Sequence, residues 1–218
     1  MGTGTLARRE RAALADLLDE VGPGAPTLCA GWTTRELAAH LVLRESHPAA
    51  TGIAVPALAH WTTSKQRALA EQPYPSLVAR FRGGPPLISP LRLPKADSLA
   101  NTFEHFVHQE DIRRAVAGWE PRLLAEPDQG VLWTQLRGRL RLFVRRSPVT
   151  VRVVAPGFGE AAVGEAAVGD AAAEEAVTLT GPPAELVLYL HGRREHARVQ
   201  VSGSDSALAA WADHTLGV

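Results

Sequence analysis

Residues 98–118, SLANTFEHFVHQEDIRRAVAG, form the stretch that decides how the first part of the chain folds. The stretch is typical of a helix that ends at Gly118. It holds two histidines and three acids within eight positions: Glu104, His105, His108, Glu110 and Asp111. Because Glu104 and His108 are four positions apart, a helix places them on one face, one turn from each other. The pair is either half of a metal site or a polar seam on a solvated helix.

The sequence on both sides of this stretch, from about residue 5 to 145, has helical periodicity. Residues 6–22 carry one apolar stripe, and residues 31–46 begin with the Thr33 and Glu36 spacing of a capping box. A third helix over 57–83 is predicted to break at Pro73–Pro75, and the proline-rich loop 83–98 follows it. A last helix covers 127–146. The pattern predicts a bundle of four or five helices with a loop across one end.

After Pro148 the pattern changes to short segments rich in β-branched residues. Strands are predicted over 149–155, 176–181 and 197–203, with helices over 182–195 and 204–218. The Ala/Gly/acid repeat at 159–176 is interpreted as a loop or hairpin filler between strands. The predicted fold is therefore mainly α, with a helical domain at 1–147 and a small α+β domain at 148–218.

Composition limits the classes of partner. The 23 basic and 23 acidic residues cancel, which gives no electrostatic signal for nucleic acid or an anionic membrane. The lone cysteine, Cys29, excludes an internal disulfide framework and is typical of a reducing cytoplasm. No signal-peptide core is visible, and no apolar window approaches the roughly 20 residues of a membrane span. We expect a cytoplasmic protein without nucleic-acid or membrane partners.

A catalytic metal site needs about three protein ligands and an open position. His40, in the apolar context LAAHLVL, is the best third ligand beside Glu104 and His108, and the alternative is a core histidine with satisfied hydrogen bonds. His105 could replace one member of the pair. Asp111, three residues after His108, could orient that imidazole, or it could form an ion pair with a following arginine, Arg113 or Arg114.

Three segments together resemble the mycothiol-dependent maleylpyruvate isomerase family of actinobacteria: CAGWTTRELAAHLVLRE (29–45), SPLRLPKADSLANTFEHFVHQEDIRRA (89–115) and LVLYLHGRREHARVQVSG (186–203). The likeness is closest to a branch described only as metal-binding proteins. It implies a DinB-like four-helix bundle followed by a sterol-carrier-like α/β domain. It also implies that His40, Glu104 and His108 are the metal ligands. The branch often has a histidine after the last ligand, where this chain has Gln109.

Arg193 and Arg194 resemble an arginine motif of the family's small domain. They could bind an anionic substrate or cofactor, or they could be basic residues at a solvated helix end. Cys29 is interpreted as a small buried or loop thiol, because no motif indicates a nucleophile.

The resemblance implies a metal-dependent, thiol-using enzyme, with zinc as the expected metal and mycothiol as the candidate thiol. Such an enzyme would act on a small electrophilic or unsaturated acid. It would either isomerise this acid or transfer the thiol to it. The alternative is a non-catalytic metal-binding or stress-response protein with the same ligands. The sequence assigns no catalytic residue, and it does not determine the metal, the substrate, the oligomeric state or the roles of His105, Cys29 and the loop 83–98.

Overall fold

The computed structural model describes residues 4–46, 56–87, 89–164 and 176–214. The chain divides into two compact units, Met1–Glu120 and Pro121–Val218. Within the described ranges it forms eight α-helices and a four-stranded sheet, which confirms the mainly helical prediction. In these ranges we find no helix of the length and apolarity that a membrane crossing requires.

The first unit contains five helices. They are α1 (Leu6–Val21), α2 (Thr34–Ser46), α3 (Ala59–Ala70), α4 (Tyr74–Gly83) and α5 (Pro94–Arg113). Short 3-10 turns cover Pro56–Leu58 and Pro90–Arg92.

Local sequence signals explain where these helices begin and end. The capping box before α2 is formed, because the Thr33 backbone N–H donates to Glu36 Oε2 over 2.9 Å. Helix α4 begins after Pro73, where the prolines were predicted to break the third helix. Helix α5 begins at Pro94, four residues before its predicted start, because proline is favoured in the first helical turn. It ends at Arg113, before the predicted stop at Gly118.

The core of the first unit lies between α1, α2, α4 and the end of α5. Helix α1 packs against α4 and α5, while α2 packs against α3 and α4. Fully buried leucines and aromatic residues fill the space: Leu14, Leu18, Leu37, Leu41, Leu77 and Phe81. This packing holds the inward face of α2, which carries His40, and places it beside α5.

The second unit begins with α6 (Glu126–Phe143) and continues with the small α+β fold. Its other elements are β1 (Thr150–Ala155), β2 (Gly159–Val163), β3 (Ala176–Thr180), α7 (Pro183–Leu190), β4 (Gln200–Ser202) and α8 (Asp205–Ala212). The strand order is β2-β1-β3-β4. The β1–β3 pair is parallel, with Val153 opposite Leu179, and the two outer pairs are antiparallel.

Two features of this unit differ from the sequence prediction. The compact units divide after Glu120 rather than at residue 147, because α6 packs against α7 and β2 and thus belongs with the sheet. Strand β2 arises from GEAAV at the start of the Ala/Gly/acid repeat, where we predicted loop or hairpin filler. Pairing with β1 makes this alanine-rich segment extended despite its low β-propensity. The rest of the repeat, residues 165–175, lies outside the described residues.

Candidate metal centre

Three side chains that were predicted as metal ligands meet between α2 and α5. His40 Nε2 lies 3.0 Å from Glu104 Oε1, and His108 Nε2 lies 3.3 Å from the same oxygen. One ligating atom from each of the three residues lies within 4.8 Å of the others. The side chains are 11 to 20 % exposed, so the cluster is shielded but reachable from solvent.

Each ligand is positioned by its helix. Glu104 and His108 are separated by one turn of α5, so both project from one face. The His40 ring is packed between two aromatic neighbours, with its centroid 5.1 Å from the Trp32 ring and 5.3 Å from the His108 ring. This packing fixes the side on which His40 presents its Nε2 atom.

The second ring nitrogen of His108 is also held in place. His108 Nδ1 donates a hydrogen bond to Asp111 Oδ2 over 2.9 Å, and Cys29 Sγ donates to the same oxygen over 3.2 Å. Cys29 belongs to the loop before α2, where the Leu28 N–H donates to the backbone carbonyl of Asp111. The loop and α5 therefore orient the imidazole together, in the manner of the outer partners of metal-binding histidines.

Arg44, one turn after His40 on α2, is the fourth polar group at the cluster. Its Nε lies 3.2 Å from Glu104 Oε1. Its other nitrogens donate to the Asn101 side chain and to the carbonyl of Ala100. Arg44 thus places a fixed positive charge beside the Glu104 carboxylate.

Electrostatic interactions in the cluster favour the ionised carboxylate. Burial alone would raise the pKa of Glu104, but His108, His40 and Arg44 together hold that pKa well below its usual value. Burial alone would lower the pKa of His108, but the Glu104 charge, the hydrogen bonds that His108 donates to Asp111 and Glu104, and its contact with Cys29 raise that pKa well above its usual value. The cluster therefore has an ionised acid paired with a protonated imidazole, whose Nε2 proton a metal ion would replace.

The donor set fits a divalent cation of the zinc type. Two imidazoles and a carboxylate are common ligands of catalytic zinc sites, which leave one further position open. Ligands bound at about 2.0–2.1 Å in a tetrahedron lie about 3.4 Å from one another. The two Nε2–Oε1 distances, 3.0 and 3.3 Å, are close to this value. A second group of potential ligands, Cys29, His108 and Asp111, shares His108 through its other nitrogen.

Other acidic and basic residues of α5 lie apart from this cluster. His105 faces away from it, with Nδ1 3.0 Å from the Ala7 carbonyl and Nε2 2.9 Å from Glu45 Oε1, so it does not replace a member of the triad. Glu110 is buried in an ion pair with Arg114. Asp111 makes the predicted histidine contact, with Oδ2 2.9 Å from His108 Nδ1.

Arg193 and Arg194 lie in the second unit, where both donate to backbone carbonyls. Arg194 donates to the carbonyls of Trp211, Ala212 and His214, and its guanidinium carbon lies 4.9 Å from the centre of the Trp211 ring. Arg193 donates to the carbonyl of His191. Arg194 therefore caps the carboxyl end of α8, a helix other than its own, which neither sequence interpretation proposed.

Cys29, like Arg44, is a residue at this centre that sequence reasoning missed. It was interpreted as a simple small thiol because no nucleophile motif surrounds it. The available signal was the proximity of Cys29 to the Thr33 and Glu36 capping box, which places the preceding loop at the amino end of the helix that carries His40. No protein-family model, curated protein or solved structure matches this chain, so the geometry of the site and its chemistry are the basis for function.

Proposed function

We propose that His40, Glu104 and His108 bind a divalent cation, expected to be zinc, and that the protein is a thiol-using enzyme. The single observation that supports this is the convergence of two Nε2 atoms on one carboxylate oxygen, 3.0 and 3.3 Å away. Such a set leaves an open position, which a catalytic site requires and a structural site lacks.

A cation held there would act as a Lewis acid that lowers the pKa of a coordinated thiol or water. His108 is oriented for ligation because its Nδ1–H donates to Asp111 and its Nε2 faces the cluster, where a cation would take the place of the Nε2 proton. The Arg44 guanidinium lies on the cluster's rim and can attract the carboxylate of a small acid. These residues bind and orient, and no residue is assigned as a general acid or base.

The proposed thiol is mycothiol, and the proposed substrate is a small electrophilic or unsaturated acid. The thiolate would either promote isomerisation of this acid or add to it. This part of the proposal rests on the family resemblance, as does the assignment of the first unit to a DinB-like four-helix bundle. The order of the ligands, one from α2 and two from α5, agrees with what the resemblance implies. The proposed setting is the cytoplasm.

Metal content tests the first step of the proposal. We expect untagged protein, exchanged into chelator-free buffer, to contain about one zinc per chain by elemental analysis. We expect His40→Ala to lose that metal while its circular dichroism spectrum is unchanged, because His40 is on the rim of the core rather than in it. Full metal occupancy in His40→Ala would rule the site out. Leu58→Ala, which changes an exposed apolar side chain, is the control for metal lost during purification.

Thiol chemistry tests the second step. The zinc-loaded protein is incubated with mycothiol and a panel of maleate-type acids and epoxides, and loss of free thiol or isomerisation is followed by chromatography. Turnover by the parent protein that is lost in His108→Ala would support the proposed enzymatic function. Zinc binding without turnover of any panel member favours the alternative, a non-catalytic metal-binding protein. The contact of Arg44 with the ligand oxygen Glu104 Oε1 favours that alternative, because it already engages part of the space around the ligands.

A further inference from the structure

A second polar site lies within the first unit, apart from the triad. It is a cavity of about 320 Å³ whose polar lining includes four arginines and one acid: Arg8, Arg11, Arg82, Arg92 and Asp97. Its outer wall is the segment Gly83–Gly84–Pro85, where the proline-rich loop begins. The proposed metal ligands do not line it, so the metal function does not account for these arginines.

Arg11 forms the base of this cavity. Its side chain is only 9 % exposed, and its Nη2 donates to Glu45 over 2.6 Å and to Asp97 over 3.2 Å. Among the described residues, its Nε–H has no hydrogen-bond partner. A buried guanidinium with an unused donor is costly, because a donor removed from water without a partner keeps its full desolvation penalty.

The wall opposite Arg11 lacks a side chain at the point of closest approach. Gly84 has a φ of +75°, and a Cβ at this position would lie 3.6 Å from Arg11 Nη1 and 3.9 Å from Nε. A glycine is favoured there by its backbone conformation, whereas a Cβ would make only ordinary van der Waals contact with Arg11.

The four arginines have four acids beside them, but these acids are shared unevenly. Arg82 is paired with Asp16 and Asp19, and Arg11 with Glu45 and Asp97. Arg8, by contrast, is half exposed and lies 3.8 Å from Asp97, which Arg11 already engages. Arg92 uses its Nε to bind the Pro85 carbonyl, and no ion pair of Arg92 occurs in the described ranges. Arg8 and Arg92 at the rim are thus less neutralised by carboxylates than Arg11 and Arg82 are.

We propose that this cavity binds the oxyanion group of a small molecule, a phosphate or a carboxylate. Arginine guanidinium groups bind both through paired, charge-assisted hydrogen bonds. Arg8 and Arg92 form the rim contacts, and Arg11 contributes its unused Nε–H donor. The loop that connects α4 to α5 has a function in this arrangement, because it supplies Arg92 and the glycine wall.

The test compares phosphate binding by the full chain with that of two matched variants. Isothermal titration with inorganic phosphate at constant ionic strength, with malonate as the carboxylate arm, measures the affinity. We expect saturable binding of one of the two anions and at least a tenfold loss in Arg8→Gln. Arg9→Gln, which makes the same charge change on the next residue of α1 but outside the cavity, should bind as the parent does.

Two further measurements separate this site from the metal centre. Arg92→Gln should weaken anion binding as Arg8→Gln does, while its circular dichroism spectrum shows that it is folded. His40→Ala should bind the anion with unchanged affinity, because the cavity does not use the triad. Binding of phosphate or of malonate identifies which group the site takes. The proposal would be overturned if neither anion bound saturably, or if Arg8→Gln and Arg9→Gln lost the same amount of anion affinity.

Discussion

His108 and Asp111 form a hydrogen-bonded pair across one turn of α5, with His108 Nδ1 2.9 Å from Asp111 Oδ2. Asp111 is fully buried, and its backbone carbonyl accepts from the loop that carries Cys29. The pair fixes the orientation of the imidazole, because Nδ1–H donates to the buried carboxylate. The other nitrogen, Nε2, then faces Glu104 and His40 as a ligand.

Replacing this acceptor should weaken metal binding without removing a ligand. We expect Asp111→Asn to lower zinc affinity about 10- to 100-fold, the range typical of outer partners of metal-binding histidines. Competition with a chromophoric chelator measures the affinity. Asp16→Asn, on the exposed side of α1, is the matched control. Equal affinities in the parent and Asp111→Asn would show that the pair does not support ligation.

Two histidines three residues apart on α5 should respond oppositely to substitution. His105 is fully buried and contacts the Ala7 carbonyl and Glu45, so His105→Ala leaves a cavity and unpaired acceptors. We expect it to lower the free energy of unfolding by about 2–4 kcal/mol. The folded fraction should still bind one zinc. His108→Ala should lose the metal. Urea unfolding and metal analysis on the same samples compare the two, and metal loss in folded His105→Ala would contradict the assignment.

The capping box before α2 should give a defined pH dependence. Partial burial alone would raise the pKa of Glu36, but hydrogen bonds from the Thr33 hydroxyl and backbone N–H hold it below its usual value. A lowered folded-state pKa stabilises the protein above the unfolded-state pKa, and this contribution is lost as the pH falls through the folded-state value. We expect Glu36→Ala to cost about 1 kcal/mol at pH 7 and less at pH 3.5.

Thermal melting of parent and Glu36→Ala at several pH values measures this dependence. Glu36→Gln keeps an acceptor for the Thr33 N–H and should retain part of the stability without the change with pH. If the loss of stability in Glu36→Ala became larger as the pH fell, the expected direction of the pH dependence would be contradicted.

Arg194 should act as a structural residue of the second unit. It donates to three carbonyls at the end of α8 and lies over the Trp211 ring. We expect Arg194→Ala to destabilise the protein by about 2 kcal/mol, through the lost cap and the lost cation–π contact. Arg141→Ala, on the exposed face of α6, should change stability by less than about 0.5 kcal/mol. A drop in substrate or thiol affinity without loss of stability would instead support the anion-binding interpretation.

Much of the fold could be predicted from local sequence. The helices carry their own start signals, such as the Thr33 and Glu36 box and the prolines at 73 and 94, and the strands after Pro148 follow β-branched runs. Strand β2 could not be predicted, because its alanines have no strand preference and only the partner β1 makes the segment extended. Helix α6 has helical periodicity, but its packing with the sheet depends on non-local contacts.

The site could be predicted in part. A helix with Glu104 and His108 four residues apart presents both on one face, and an inward His40 was expected from its apolar neighbours. The positions of Cys29 and Arg44 could not be predicted, because each depends on how α2 and its preceding loop meet α5. The same holds for the arginine cavity, whose lining comes from three helices and a loop.

By itself, the sequence determined the helices and most strands, the shared face of Glu104 and His108, and the i to i+3 spacing of His108 and Asp111. These depend on residue spacing and on caps, which act over a few positions. Only the tertiary structure decided that His105 turns to Glu45, that Cys29 reaches Asp111 and that Arg11 keeps a donor beneath Gly84. Those contacts join residues about 60 to 80 positions apart, and the packing of whole helices sets their distances.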